Sequence, residues 1–323
     1  MKKKDIKKIY YNGNEITSLY LGGNLIYQKK ASDVPVYNSK RFAGKFAENS
    51  SESNWKCNLN GKEYILPVNP ETKDFDFEYE GELTSLDSCF RYSKIKQIDY
   101  IPDTFKVSNM SKMFSNCTNL TSLDLSNFNT DNVNSIGYMF SDCSNLTSLD
   151  LSNFNTNNVN SMYGMFSNCT KLASLDLSNF NTDNVNSIGS MFTSCSSLTS
   201  LDLSNFNTNN VNSDMSDMFK YCSSLTSLKL NFNISKVTGL TALSQIFYRC
   251  NKLTDITGQF NGIKINLDLG DCPLTNPSAM VFINGLSEVS AKRNITFKGT
   301  TYDTLSEEQI ALATSKGWSV VRG

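Results

Sequence analysis

Acidic residues recur at a nearly constant interval through the middle of the sequence, and serines flank each of them except the first. These candidate partner-binding residues are Asp99, Asp124, Asp150, Asp176, Asp202, Ser122 and Ser126. Because the last four carboxylates lie between leucines of an alternating L-x-L pattern, and Asp99 follows Ile98 in a leucine position, we expect the carboxylates on the outer surface of a sheet. Stacked about 5 Å apart, like charges repel unless they are solvated or neutralised. The column is therefore an exposed polar face, a strip for a cation or basic partner, or a set of glycoside-cleaving carboxylates.

The third alternative needs one acid and one base in different environments, whereas a repeat supplies many identical groups. The chain also contains no histidine, so the commonest general base and the imidazole zinc ligands are missing. It shows no phosphate-binding glycine loop, no nucleophile elbow and no basic groove with interleaved aromatics. We expect a non-enzymatic protein with no cofactor, no metal and no nucleic-acid partner, in keeping with its net charge of -1.

Cysteines form a second column, each three residues after a phenylalanine. The pairs are Phe114/Cys117, Phe140/Cys143, Phe166/Cys169, Phe192/Cys195, Phe219/Cys222 and Phe247/Cys250. Neighbouring members could approach to a distance that a disulfide tolerates. A straight column does not provide the tetrahedron that zinc requires, and no CxxC pair is present. We expect reduced thiols that pack as small apolar groups.

Both columns follow a repeat of 26 residues, for which "LTSLDLSNFNTDNVNSIGYMFSDCSN" from Leu120 is the example. Its L-x-x-L-x-L start predicts a strand with one buried face. Val133, Ile136, Phe140 and Cys143 follow at spacings of three or four, which predicts a short helix. Successive coils of strand, turn, helix and turn should stack into a continuous parallel sheet with a shared core. Asn127, Asn129 and their equivalents should satisfy turn backbone and form ladders.

The ends of such a stack must be closed. We expect a β-rich N-terminal cap at residues 41–82, the solenoid at 83–257 and an α/β C-terminal cap at 258–323. In the last part, Asn276 with Pro277 and Ser306 before two glutamates predict helix starts, and "NITFKGTTY" and "WSVV" predict strands. Residues 1–30 should form a small β module with turns at Asn12-Gly13 and Gly22-Gly23. Residues 31–40 should form a linker between this module and the N-terminal cap.

"MFSNCTNLTSLDLSNFNTDNV" resembles the repeat of the BspA-like family of bacterial surface leucine-rich repeat proteins, from about Leu83 to Ile256. Phe128 stands where ordinary leucine-rich repeats carry asparagine. The resemblance implies an α/β leucine-rich-repeat-like solenoid with short helices opposite a parallel sheet. It also implies surface display and adhesion to host or neighbouring cells.

The "YNG…LYLGGNLIY" pattern of residues 1–30 resembles N-terminal segments of tail and fibre proteins from phages of gut bacteria, which attach to the particle. The candidate anchoring residues are Tyr10, Tyr11, Ile16, Leu19, Leu21 and Tyr27. We find no export signal and no stretch apolar enough to span a membrane. We therefore expect a virion protein, a head or tail fibre or decoration. It would form homo-oligomers, bind other virion proteins through residues 1–30 and bind a host surface glycan or protein through the solenoid. The alternative is a bacterial cell-surface adhesin.

Overall fold

The computed structural model describes residues 10–11, 14–15, 18–21, 24–28, 41–46, 54–60, 62–71, 73–79, 82–100, 104, 106–126, 128–212 and 215–323. The strands are β1 (Tyr10–Tyr11), β2 (Asn14–Glu15), β3 (Ser18–Leu21), β4 (Asn24–Gln28), β5 (Arg41–Phe46), β6 (Asn54–Leu59), β7 (Lys62–Pro67), β8 (Asp74–Glu78), β9 (Ile95–Tyr100), β10 (Ser200–Leu203), β11 (Ser227–Asn233), β12 (Asp255–Asn261), β13 (Leu267–Leu269), β14 (Arg293–Phe297) and β15 (Trp318–Arg322). The helices are α1 (Asn276–Gly285), α2 (Gly299–Tyr302) and α3 (Glu307–Ser315).

Seven coils stack through the middle of the chain, and we number them by a buried phenylalanine that each contributes. Coils one to seven carry Phe90, Phe114, Phe140, Phe166, Phe192, Phe219 and Phe247. Their rings form one column, with successive centroids 5.4 to 5.9 Å apart and planes within 10° of parallel. The repeat therefore builds one continuous apolar core, as the sequence predicts.

The second half of each sequence repeat, which forms the first part of each coil and which we call the turn segment, is not the short helix that the spacing predicts. In coil two it covers residues 110–117 and consists of successive turns. Lys112 and Asn116 have positive φ angles of 55° and 63°, and each later coil has left-handed residues at the same two places. A left-handed residue cannot continue a right-handed helix. The apolar residues still face the core, because these turns preserve the three-residue spacing.

Backbone hydrogen bonds of the turn segments run to the next coil. The amides of Met110, Lys112, Phe114 and Asn116 donate to carbonyls of coil three at 2.7 to 3.0 Å. The same four-bond ladder joins coils three and four, and coils six and seven. Donors that a helix would satisfy within itself are satisfied here by stacking. This is the physical reason that the helix prediction was wrong.

The cysteine column reinforces the same interfaces. The Cys143 thiol donates to the Phe114 carbonyl at 3.1 Å, and the Cys169 thiol donates to the Phe140 carbonyl at 3.1 Å. Cys117 and the later members do the same one coil apart. All these thiols are free and buried. The prediction that they pack as small apolar groups is confirmed, with a weak hydrogen bond in addition.

The continuous parallel sheet is present only over the last three coils, where β10, β11 and β12 pair in register. The leucine segment of a coil is its L-x-x-L-x-L stretch, which is 120–125 in coil two. In coils two to four the leucine segments are extended but form no strand ladder. There Asp124 accepts a hydrogen bond from the Ser126 amide, and Phe128 turns back to the Leu125 carbonyl. Coil six reads "LKLNFN" instead of "LDLSNFN", and without that extra residue β11 runs straight for seven residues.

Asparagine and threonine ladders close the corner after the leucine segment. The Asn153 amide donates to the Leu125 and Phe128 carbonyls of the preceding coil, and Asn179 and Asn205 repeat these bonds. Thr156, which is buried, donates to the Asn181 carbonyl and accepts from the Asn181 amide, both at 2.8 Å. The predicted asparagine ladder is therefore confirmed for these members.

The N-terminal end of the core is closed by an antiparallel sheet of order β8-β5-β9 and by the hairpin β6-β7. Phe42 of β5 stands edge-on to Phe90, with centroids 6.0 Å apart. Asn60 accepts the amides of Thr84 and Ser85 at 2.8 and 2.9 Å, which satisfies donors at the start of coil one.

The C-terminal cap packs α1 against β12, beside the parallel sheet β13-β14-β15. Phe282 of α1 lies edge-on to Phe247 and ends the ring column. The predicted helix starts are confirmed at Asn276 and at Ser306, whose hydroxyl and Gln309 form a capping box. The strand prediction for "NITFKGTTY" is correct only to Phe297, because the short helix α2 begins at Gly299.

In the first thirty residues, β1 pairs with β2 and β3 pairs with β4, both antiparallel. The linker expected at 31–40 lies outside the described residues. Among the helices that the structure describes, none has the length and apolar character needed to cross a membrane.

Candidate partner-binding face

The carboxylate column lies on the exposed side of the leucine segments. Asp150, Asp176 and Asp202 are exposed, while Leu151, Leu177 and Leu203 beside them are buried. The three carboxylates line an open groove of about 670 Å³ that crosses coils three to seven. Alternation along an extended segment puts Asp and Leu on opposite faces, which is the reason for this arrangement.

Each carboxylate is held in place by its own coil. The amides of Ser126, Ser152, Ser178 and Ser204 donate to Asp124, Asp150, Asp176 and Asp202, all at 2.9 Å. The bond from the Ser152 amide is the main cause of a lowered pKa at Asp150, and the Ser178 amide has the same effect at Asp176. The Asp124 pKa is lowered in the same way, although the Asp150 charge opposes the shift. The strip is thus fully charged at neutral pH.

A lysine neutralises the far end of the column. Lys229 of coil six lies 3.2 Å from the Asp202 carboxylate, and both side chains are more than half exposed. The pKa of Asp202 is lowered chiefly by the Ser204 hydroxyl and amide, and further by Lys229. The charge of the groove is therefore most negative over coils three and four, and it is partly balanced over coils five and six.

The structure brings together some of the predicted site residues and separates others. Asp124, Ser122 and Ser126 are exposed on the same face but lie beyond the groove lining. Asp99 is in β9, which pairs antiparallel with β5, so its backbone belongs to the N-terminal sheet and not to a parallel stack. Its side chain lies outside the described part of the structure.

For the candidate anchoring residues the structure gives backbone positions only. Tyr10 and Tyr11 form β1, Leu19 and Leu21 lie in β3, and Tyr27 lies in β4. Ile16 is outside the described residues.

Several groove residues were missed from the sequence. Leu149 and Leu175 are half-buried in the groove wall, and Asp255 and Thr257 of β12 extend it into coil seven. The repeat predicted the leucines as core, and coil seven departs too far from the repeat for its members to be aligned with the column. An alignment of "LTDITGQF" from coil seven with "LTSLDLSNF" from the earlier coils was the sequence signal that could have identified these residues.

The arrangement suits binding more than reaction. Asp150 and Asp176 are alike in exposure and in hydrogen bonding, and the pKa of each is lowered, so neither is set apart as an acid with a raised pKa. Within the described residues, no three His, Cys, Asp or Glu side chains are grouped as metal ligands. A regular negative strip beside half-buried leucines can instead receive a partner that offers cations or hydrogen-bond donors at matching intervals.

Comparison with known proteins gives one family. A family model described as "Mycoplasma protein of unknown function, DUF285" matches residues 84–200 and, in an overlapping second match, residues 171–260. Together the matches span more than half of the 323 residues and coincide with the coils. They are compatible with the BspA-like repeat that the sequence resembles. No curated protein and no solved structure matches the chain.

Proposed function

From the premise that this chain belongs to the family described as "Mycoplasma protein of unknown function, DUF285", we propose that it is a non-enzymatic adhesion protein. The coils form a rigid stack that presents the carboxylate groove to a glycan or protein on a host surface. The groove is the observation that carries this proposal. It repeats one charged contact at coil spacing, so weak contacts with an extended partner can add through avidity.

We further propose that the protein is part of a phage virion, as a head or tail fibre or decoration. Residues 1–30 attach it to other virion proteins, with Tyr10, Tyr11, Ile16, Leu19, Leu21 and Tyr27 as the anchoring side chains. The resemblance of this segment to phage fibre proteins supports the idea. Mass spectrometry of purified particles tests it: the chain should be recovered from intact virions, and a variant lacking residues 1–30 should be lost from them.

Adhesion is tested by binding of the purified full chain to whole host cells. The double variant Asp150→Asn, Asp176→Asn keeps the oxygens that accept the serine amides but removes two charges from the groove. We expect at least tenfold weaker binding, because several contacts are weakened together. Asp131→Asn with Asp183→Asn is the matched control, since these exposed carboxylates lie outside the groove lining. Equal binding by both double variants would overturn the role of the groove.

A bacterial cell-surface adhesin is the second candidate. The family description names a cellular organism, Mycoplasma, and this favours a cellular setting. Antibody labelling of intact cells that carry the gene distinguishes the two settings. Label on uninfected cells supports the cellular adhesin, and label on particles alone supports the virion protein.

A further inference from the structure

The backbone ladder that joins the coils has a free end at coil seven. In coil six the amides of Met215, Asp217 and Phe219 donate to carbonyls of coil seven at 2.9 to 3.0 Å. The equivalent amides in coil seven belong to Leu243, Gln245 and Phe247. Among the described residues, which include the whole C-terminal cap, none provides an acceptor for these three amides. Three parallel backbone donors therefore point away from the last coil toward the cap.

The fourth amide of the ladder in coil seven shows which kind of acceptor the cap can provide. Tyr221 of coil six donates to the Tyr248 carbonyl, and its equivalent in coil seven is Arg249. The Arg249 amide donates to the Asp271 carboxylate of the cap at 2.8 Å. The cap thus supplies an oxygen where the next coil would have supplied a carbonyl. It does so for one donor of the four.

The residues that carry the three remaining donors, Leu243, Gln245 and Phe247, line a cavity of about 350 Å³ between coil seven and the cap. Leu243 and Phe247 are almost completely buried, and the Tyr248 side chain contributes an aromatic surface. The cap side consists mainly of polar groups, and the largest of these belong to Asn266, Asp268, Asp271 and Asn294. Asp268 also accepts the Gly270 amide at 2.9 Å, so its carboxylate is fixed in direction.

The two sides of the cavity differ in the hydrogen-bonding groups that they offer to a ligand. The coil side offers hydrogen-bond donors, so the ligand must carry acceptors. The cap side offers carboxylate oxygens, so the ligand must also carry donors, and a negative charge is repelled there. A hydroxyl both donates and accepts. A ring with several hydroxyls satisfies both sides, and its C–H face can lie on Tyr248.

We propose that this junction cavity binds a neutral carbohydrate of one or two sugar rings. The site is separate from the carboxylate groove and does not depend on it. The amides of Leu243, Gln245 and Phe247 donate to sugar oxygens, and Asp268 and Asp271 accept from sugar hydroxyls. Carbohydrates with a carboxylate or sulfate group are excluded by these two aspartates.

Nuclear magnetic resonance of the full chain tests the donors directly. In the free protein, hydrogen exchange at Leu243, Gln245 and Phe247 should be faster than at Met215, Asp217 and Phe219. Addition of lactose, maltose or N,N′-diacetylchitobiose in the millimolar range should shift the three amide signals in a saturable way for at least one of these probes, and sialyl-lactose should leave them unchanged. If no neutral disaccharide shifts them, or if the three amides are as protected as their counterparts, the proposal is overturned.

Variants separate this site from the groove. Asn294→Trp fills the cavity from an exposed strand position and should abolish the shifts, while Asn251→Trp places the same side chain on an exposed position outside it. Asp268→Asn keeps the acceptor for Gly270 and should weaken binding about tenfold. The Asp150→Asn, Asp176→Asn variant should bind the sugar normally. Persistence of the shifts in Asn294→Trp, or a response to trialanine in place of sugars, would overturn the assignment.

Discussion

Each middle coil has a turn side, formed by its turn segment, and a leucine side, formed by its leucine segment. The two sides differ in the contacts that join one coil to the next. On the turn side, each interface between coils two, three and four has four backbone hydrogen bonds, a stacked pair of phenylalanines and a thiol-to-carbonyl bond. On the leucine side, the backbone bond recorded between coils two and three runs from the Thr147 amide to the Thr121 carbonyl at 2.9 Å. The turn side therefore fixes the register of the stack.

This difference separates stability from recognition. Residues on the turn side point into a core in which each coil determines the fit of the next. The leucine side presents serine and aspartate to solvent, and changes there, such as Lys229 in place of aspartate, leave the stack intact. Four predictions test the comparison, in order of decreasing effect.

The largest effect should come from alkaline pH, through the turn side alone. Burial raises the pKa of Cys117 and Cys195 to about 12, and it raises the pKa of Cys143 and Cys169 as well. An unfolded thiol ionises near pH 8.5. The contribution of the thiols to stability should be constant below that pH and should fall as pH rises toward 12, by about 1.4 kcal/mol per thiol for each pH unit. Urea unfolding at several pH values measures the slope. The Cys117→Ala, Cys195→Ala variant should have a smaller slope, and an unchanged one would contradict the prediction.

Removal of one ring from the column should be next. Phe166 is fully buried, with Phe140 and Phe192 stacked at 5.9 and 5.8 Å. Phe166→Ala should reduce the free energy of unfolding by about 3–5 kcal/mol, because the cavity lies between two coils. Leu149→Ala, on a half-buried leucine-side residue, is the comparison and should cost about 1–2 kcal/mol. Equal costs in chemical denaturation would remove the distinction between the two sides.

The buried corner between the two sides should give a smaller loss. Thr156→Val keeps the shape but leaves the Asn181 amide and carbonyl without their partner. We expect a loss of about 1–3 kcal/mol in the free energy of unfolding. Thr147→Val is the matched control, since Thr147 is exposed and its hydroxyl donates to the Thr121 carbonyl. A loss in the control as large as that in Thr156→Val would show that burial does not set the cost.

The smallest effect on stability is expected in the groove. Asp150→Asn retains an oxygen that can accept the Ser152 amide and loses only the charge, so the thermal midpoint at neutral pH should fall slightly. Because the Asp150 pKa is lowered in the folded state, the stability from its charged form is present at neutral pH and is lost as pH falls below the usual range of the group. The variant should lack this part of the acid response. A fall in the midpoint as large as that of Thr156→Val would mean that the leucine side supports the stack through charge.

Several features of the fold could be predicted from residue types and spacing. Phe140, Cys143 and Leu151 are buried as the repeat predicts, and Asp150 and Asp176 are exposed. The helix starts at Asn276 and Ser306 were also predictable, because capping depends on neighbouring residues.

Other features could not be predicted from the same signals. The spacing of Ile136, Phe140 and Cys143 fits a helix and a series of turns equally well. Tyr138 has a left-handed backbone conformation, but a tyrosine in a sequence does not indicate the end of a helix. The length of β11 depends on the absence of one residue that coils two to five have in "LDLSNFN". The effect of this absence on the strand is visible only when the coils are compared in the structure. The junction cavity depends on where the last coil meets the cap.

The sequence by itself determined which side chains face the core, because a repeat with fixed spacing gives every coil the same buried face. Only the tertiary structure decided where the backbone donors go, because an amide takes its acceptor from whichever chain lies beside it. Tyr138 donates to the next coil, Arg249 donates to a carboxylate of the cap, and Leu243 has no acceptor among the described residues. These three amides belong to different positions of the same ladder, and their acceptors differ because the neighbouring chain differs.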